Sequence, residues 1–73
     1  MALAENIKAK RIEKGLTQGE LSSIVGVSRK QICTYEAGER IPNLYNALRI
    51  AKALGTTVEK LAYGKSTKKQ IKN

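Results

Sequence analysis

The sequence contains no histidine and only one cysteine, Cys33. A disulfide within one chain needs two cysteines, a structural zinc site needs several Cys or His ligands, and most nucleophilic enzymes pair Ser or Cys with an imidazole. Cys33 alone satisfies none of these requirements. We therefore expect no metal site, no cofactor and no enzymatic activity.

Aromatic residues and long apolar runs are also scarce. Three tyrosines are present without Phe or Trp, so the core is expected to be aliphatic. No stretch approaches the roughly 20 apolar residues of a membrane span, and the first residues lack the basic and then apolar pattern of a signal peptide. A chain of 73 residues is therefore expected to form one cytoplasmic domain with no membrane partner.

Acidic residues are few as well, six against fourteen Lys and Arg, which gives a formal net charge of +8. Such an excess suits a polyanion such as nucleic acid, although solubility alone would also account for it. Residues 65–73 hold four of the lysines and no acid, so we predict a basic, disordered C-terminal tail there. Residues 1–64 are predicted to form the folded domain.

The glycines divide the sequence into short segments with helical apolar spacing. A glycine just past a helix is the usual left-handed stop, and the segments between these stops are about 8 to 13 residues long. No stretch alternates with the period of a strand. The pattern predicts an all-α fold, a compact bundle of five helices. The predicted stops are Gly15, Gly26, Gly38, Gly55 and Gly64.

The same helix-start signal occurs twice in the middle of the chain. Thr17 is followed three residues later by Glu20, and Ser28 is followed three residues later by Gln31. Each pair can form a capping box, in which the two residues satisfy each other's backbone N–H groups. Since the earlier helix has to end near Gly26, the connection is short, and helices 2 and 3 are predicted to form a helix-turn-helix.

The second of these helix starts carries two cations, Arg29 and Lys30. Cations at a helix N-terminus oppose the macrodipole and cost about 0.3 kcal/mol or more, which suggests an anionic partner. Backbone N–H groups at such an end bind phosphate, and Arg suits bidentate contact with guanine in the major groove. A solvated surface position is the alternative, but the doubled helix-start signal favours DNA.

Residues 17–38 resemble the helix-turn-helix of lambda-repressor-like (Cro/Xre-type) transcriptional regulators. The similarity continues through residues 11–18, 40–44 and 50–55 and so covers most of the chain. This resemblance implies a bacterial or phage-encoded regulator that inserts helix 3 into the major groove of double-stranded DNA. The simplest mechanism is repression by a homodimer on a palindromic operator.

The resemblance also implies roles for individual side chains. The base-reading positions are Arg29, Lys30 and Thr34, with Cys33 beside them; the phosphate-contacting positions are Gln18, Thr17, Ser28 and Arg40; a structural ion pair joins Arg11 to Glu36. The chain departs from the family at Gly19, which stands where the family usually has Ala or Glu. A glycine inside a helix costs about 0.5 to 1 kcal/mol.

The fifth predicted helix carries Val58, Leu61 and Tyr63. One small bundle is not expected to cover all three side chains, so they are the predicted dimer surface. An alternative function is an antitoxin or adaptor-type protein-interaction module that uses the same bundle, with a toxin as its protein partner. Neutralising Arg29 and Lys30 would abolish DNA binding but leave such a partner bound.

Overall fold

The computed structural model describes residues 3–63, which form five α-helices. The prediction of an all-α, five-helix bundle is confirmed. Gly64 and the basic tail predicted for residues 65–73 lie outside the described residues. The helices are α1 (Leu3–Glu13), α2 (Gln18–Val25), α3 (Arg29–Glu36), α4 (Leu44–Ala53) and α5 (Val58–Tyr63).

Both predicted capping boxes are present. The Thr17 hydroxyl accepts from the Glu20 amide at 3.0 Å, and the Thr17 amide donates to the Glu20 carboxylate at 2.8 Å. Ser28 and Gln31 make the equivalent pair of hydrogen bonds at 3.1 and 3.3 Å. These reciprocal bonds fix where α2 and α3 begin, because they satisfy backbone donors that each helix start leaves free.

Gly26 makes the short connection between α2 and α3 possible. Its φ of 89° lies in the left-handed region, and its amide donates to the Ser22 carbonyl at 2.8 Å. A Cβ at this position would lie 3.3 Å from Nη2 of Arg49, whose side chain covers the turn from α4. Backbone conformation and space therefore both favour glycine here.

The core is aliphatic apart from one tyrosine. α1 packs against α3 and α5, α2 packs against α3 and α4, and α4 packs against α5. The Tyr35 ring is buried, and its hydroxyl accepts a hydrogen bond from Nδ2 of Asn46 at 3.2 Å. The core consists of Ile7, Leu21, Val25, Ile32, Tyr35, Ile50, Ala51, Leu54 and Leu61.

The structure corrects the predicted dimer surface. Leu61 is only 2% exposed and belongs to the core, and Val58 packs against that core. Only Tyr63 of the three is exposed. The prediction is wrong for Leu61, because α5 packs on α1 and α4 and this side chain lies in the core, whereas Val58 is half-buried.

The residues that α4 buries also differ from those that its apolar spacing predicts to be buried. The apolar spacing of the sequence predicts one inward stripe, which consists of Leu44, Ala47, Leu48, Ala51 and Leu54. In the structure Ala47, Ala51 and Leu54 are buried as predicted, but Leu44 and Leu48 are exposed and Ile50 is fully buried. α4 therefore carries more apolar residues than its packing against α2 and α5 covers.

Candidate nucleic-acid interface

The first turn of α3 concentrates positive charge. Arg29 and Lys30 are the first two residues of α3, both are exposed, and no acidic residue lies in this turn. The Ser28 cap holds the preceding backbone extended. The partial positive charge of the helix end thus adds to two side-chain cations that point into solvent.

The start of α2 lies beside this turn. Gln18, Arg29, Lys30 and Cys33 line one open groove on the surface. A Cβ on Gly19 would lie 3.8 Å from Cδ of Arg29, so the first turns of the two helices are in close proximity. The structure therefore brings Gln18 together with three of the four predicted base-reading residues.

Cys33 and Thr34 follow one turn further along α3. Cys33 is an exposed free thiol, whereas Thr34 is half-buried. The Thr34 hydroxyl donates to the Lys30 carbonyl at 2.8 Å. With its proton engaged in the helix, Thr34 offers an acceptor oxygen and a methyl group, a combination that suits base donors or thymine methyl groups.

An ion pair joins α1 to the end of α3. The Arg11 guanidinium donates to Glu36 through Nε at 2.6 Å and through Nη2 at 3.0 Å, and Nη1 donates to the Leu16 carbonyl at 2.7 Å. The two side chains are only 11% and 3% exposed. The hydrogen bond to Glu36 raises the pKa of Arg11 above its ordinary value, and burial opposes that shift.

Gln18 extends this ion pair towards the groove. Its Nε2 donates to Oε1 of Glu36 at 3.1 Å. The carboxylate thus holds the amide of a groove residue while it is itself held by Arg11. The sequence reasoning missed this link, since eighteen positions separate Gln18 from Glu36 and no local pattern connects them.

The remaining predicted phosphate contacts lie at two places. Thr17 and Ser28 are exposed at the two helix starts, where their oxygens accept the capping hydrogen bonds and their O–H groups remain able to donate. Arg40 is exposed in the loop after α3 and does not line the groove. The structure therefore groups Thr17 and Ser28 with the groove but sets Arg40 apart.

Arg49 is a second feature that the sequence reasoning missed. Its guanidinium lies 5.1 Å from the centre of the Tyr45 ring and packs over Gly26 in the turn before α3. The spacing of Tyr45 and Arg49, one helical turn apart, was the available signal for their contact. Whether the Arg49 side chain reaches the turn before α3 depends on how α4 packs on α2.

Residues 3–63 lack two other kinds of feature. In that range no group of three or more His, Cys, Asp or Glu residues is arranged to hold a metal ion. In the same range no helix has the length and apolar character needed to cross a membrane.

Comparison with known families shows one match that covers most of the chain. The helix-turn-helix family model matches residues 7–61. An uncharacterised HTH-type transcriptional regulator from Methanothermobacter thermautotrophicus is 51% identical over 49 residues, which are 67% of this chain and 71% of that protein. The control protein C.SmaI from Serratia marcescens is 38% identical over 71 residues, which are 97% of this chain and 80% of that protein.

Solved structures show the same fold. The DNA-binding domain of the P22 c2 repressor in solution superposes with a TM-score of 0.84 at 34% identity, covering 88% of this chain and 84% of that domain. The same repressor in complex with a synthetic operator gives a TM-score of 0.81 over 84% of this chain and 92% of the repressor chain. Some other relatives are longer, and this chain spans 17% and 57% of two of them.

Proposed function

This chain belongs to the helix-turn-helix family of transcriptional regulators, and we propose that it represses transcription by inserting α3 into the major groove of an operator. The observation that carries this proposal is the capped start of α3 with its two exposed cations, Arg29 and Lys30. Folding gains nothing from cations at this end of a helix. A DNA major groove supplies the phosphates and guanine edges that such a turn can bind.

Base reading is assigned to the exposed side of α3. Arg29 donates two parallel hydrogen bonds to a guanine edge, and Lys30 binds a neighbouring base edge or phosphate. Thr34 reads a base through its acceptor oxygen or its methyl group, and Cys33 fills the space between them. Arg29 carries the most specificity in this proposal, because a good bidentate pair discriminates by about 1 to 3 kcal/mol.

Phosphate contacts fix the register of α3 in the groove. We assign them to Gln18, Thr17 and Ser28, which lie at two adjacent helix starts, and to Arg40 in the loop beyond α3. In this assignment the Glu36 carboxylate accepts one N–H of the Gln18 side-chain amide, and the second N–H of that amide donates to a phosphate oxygen. Contacts of this kind strengthen binding to every sequence and specify none.

Two copies of the chain act together in this proposal. One α3 reads only a few bases, so a palindromic operator with half-sites about 34 Å apart would bind a homodimer. Repression then follows from occlusion of the promoter in the cytoplasm, without catalysis. The similarity to the control protein C.SmaI and to the P22 c2 repressor, which was solved in complex with a synthetic operator, supports this role.

In vitro selection from a random duplex library tests the proposal. The wild-type chain is expected to enrich a palindromic motif and to bind it at least about 1,000-fold more tightly than a shuffled duplex. Binding to the shuffled duplex should fall steeply as salt rises, since it depends on phosphate contacts alone. Enrichment of no motif would contradict the proposal and would indicate a nonspecific DNA-binding protein.

A further inference from the structure

Gln18 lies in the groove at the first turns of α2 and α3, and its side-chain amide is held from inside the fold. The amide nitrogen donates to Oε1 of Glu36 at 3.1 Å. A glutamine side chain on a surface usually samples several rotamers, and ordering it costs conformational entropy. In this structure one hydrogen bond already holds the amide in a single direction.

The carboxylate that holds this amide is itself buried and held in place. The Glu36 side chain is only 3% exposed. Its Oε2 accepts from Nε of Arg11 at 2.6 Å, and its Oε1 accepts from Nη2 of Arg11 at 3.0 Å as well as from Gln18. An ionised carboxylate has acceptors but no donor, so it binds the nitrogen of the Gln18 amide and not the oxygen. The contact therefore fixes both the place and the direction of this amide.

The same guanidinium also holds the backbone from which Gln18 projects. Nη1 of Arg11 donates to the Leu16 carbonyl at 2.7 Å, and the Leu16 amide donates back to the Arg11 carbonyl at 3.0 Å. Leu16 lies two residues before Gln18, next to the Thr17 cap of α2. Arg11 thus anchors Gln18 twice, at its backbone through Leu16 and at its amide through Glu36.

The ion pair is complete without Gln18. The N–H groups that Arg11 donates already engage both oxygens of the buried carboxylate, and a buried pair of this kind aligns elements more than it stabilises them. The Gln18 amide has a second N–H that the bond to Glu36 leaves available. The bond therefore matters more for the groove than for the ion pair.

We propose that Arg11 and Glu36 are positioning residues for DNA binding, which hold the Gln18 amide ready for a phosphate before DNA binds. This inference rests on the proposed function, in which the second N–H of that amide donates to a phosphate oxygen. A side chain that is ordered in the free protein loses little further conformational entropy on binding, so the affinity rises. The ion pair predicted as structural thereby also contributes to DNA affinity, although neither of its residues touches DNA.

Two double variants that differ by one hydrogen-bond acceptor test this role. Arg11→Met/Glu36→Gln and Arg11→Met/Glu36→Leu both remove the buried charges, but only the first keeps an oxygen that can accept from Gln18. Each double variant is also made with Gln18→Ala. Fluorescence anisotropy measures the affinity of these four proteins for the duplex selected by the wild type and for its shuffled counterpart, at a temperature where circular dichroism shows each protein to be folded.

The Glu36→Gln double variant should bind both duplexes about three- to tenfold more tightly than the Glu36→Leu double variant. The factor should be the same for both duplexes, because a phosphate contact strengthens binding to every sequence. With Gln18→Ala, the two double variants should bind equally. Equal affinities while Gln18 is present would overturn the proposal. So would a difference that persists without Gln18 or that alters the preference for the selected duplex, since this would indicate a disturbed α3.

The free wild-type protein provides a test that does not depend on the folding of any variant. Nuclear magnetic relaxation of the side-chain amide nitrogens, measured without DNA, should show the Gln18 amide to be as ordered as the backbone of α2. A Gln18 amide that moves freely would overturn the proposal. If no duplex is selected, the proposed function fails, and the relaxation measurement together with the shuffled duplex still decides on the role of Arg11 and Glu36.

Discussion

Gly19 is a helical glycine that no feature of its surroundings requires. It lies in the first turn of α2 and does not adopt the positive φ of Gly15, Gly26, Gly38 and Gly55. A Cβ there would meet only Cδ of Arg29 at 3.8 Å and Oγ1 of Thr17 at 3.9 Å, which are ordinary contacts. The backbone therefore gains nothing from glycine at this position.

We expect Gly19→Ala to stabilise the folded domain by about 0.5 to 1 kcal/mol, because alanine restricts the unfolded chain and favours the helix. Thermal unfolding followed by circular dichroism should show a melting temperature about 3 to 6 °C higher.

Gly26→Ala provides the contrasting variant. Its φ of 89° and the 3.3 Å approach of Arg49 to the added Cβ should make it destabilising. A lower melting temperature for Gly19→Ala would show that the free space beside Arg29 is required by the fold.

At the scale of helices, the ion pair between Arg11 and Glu36 aligns α1 with the end of α3 and supports Gln18 at the groove. Because the pKa of Arg11 is raised, the stability that this cation contributes is fully present below the ordinary arginine pKa and is lost only as the pH rises through the raised pKa. The cation is therefore present throughout the physiological pH range.

Removal of one partner should cost more than removal of both. Arg11→Met leaves the Glu36 carboxylate buried without its cation and is expected to cost about 3 to 5 kcal/mol of unfolding free energy. The double variant Arg11→Met/Glu36→Leu removes both charges and should recover part of that loss. Four proteins in a Gly19→Ala background are unfolded with urea: the parent, Arg11→Met, Glu36→Leu and the double variant. Their unfolding free energies give the coupling between Arg11 and Glu36, and simple additivity of the two single changes would contradict this coupling.

Helix starts could be predicted from the sequence, whereas the burial of individual helix faces could not. The starts of α2 and α3 were predictable because a capping box needs only residues three positions apart, such as Thr17 and Glu20. The burial of Leu61 and the exposure of Leu48 were not predictable from the sequence, because they depend on which neighbouring helix covers each helix face. Local signals thus predicted the helix start on which Arg29 and Lys30 lie, whereas the exposed apolar face of α4 emerged only from the packing.

At the scale of the whole molecule, we expect the net charge of +8 to have two different roles. Half of it comes from four lysines in residues 65–73, and a basic segment of this kind attracts any DNA. Arg29 and Lys30 add only two charges, but they lie on the capped start of α3, where the capping box fixes the backbone that carries them. Affinity and specificity should therefore depend on different cations of the same chain.

In the proposed function, the sequence specificity of DNA binding resides in the first turn of α3. Fluorescence anisotropy of three proteins, each titrated with the selected duplex and with its shuffled counterpart, tests it most directly. The proteins are the wild type, Arg29→Ala/Lys30→Ala, and a tail variant in which Lys65, Lys68, Lys69 and Lys72 are changed to Gln. The α3 variant should lose about 100-fold or more of the preference for the selected duplex, while the tail variant should bind both duplexes more weakly and keep the preference. An α3 variant that retains the wild-type preference would contradict the account.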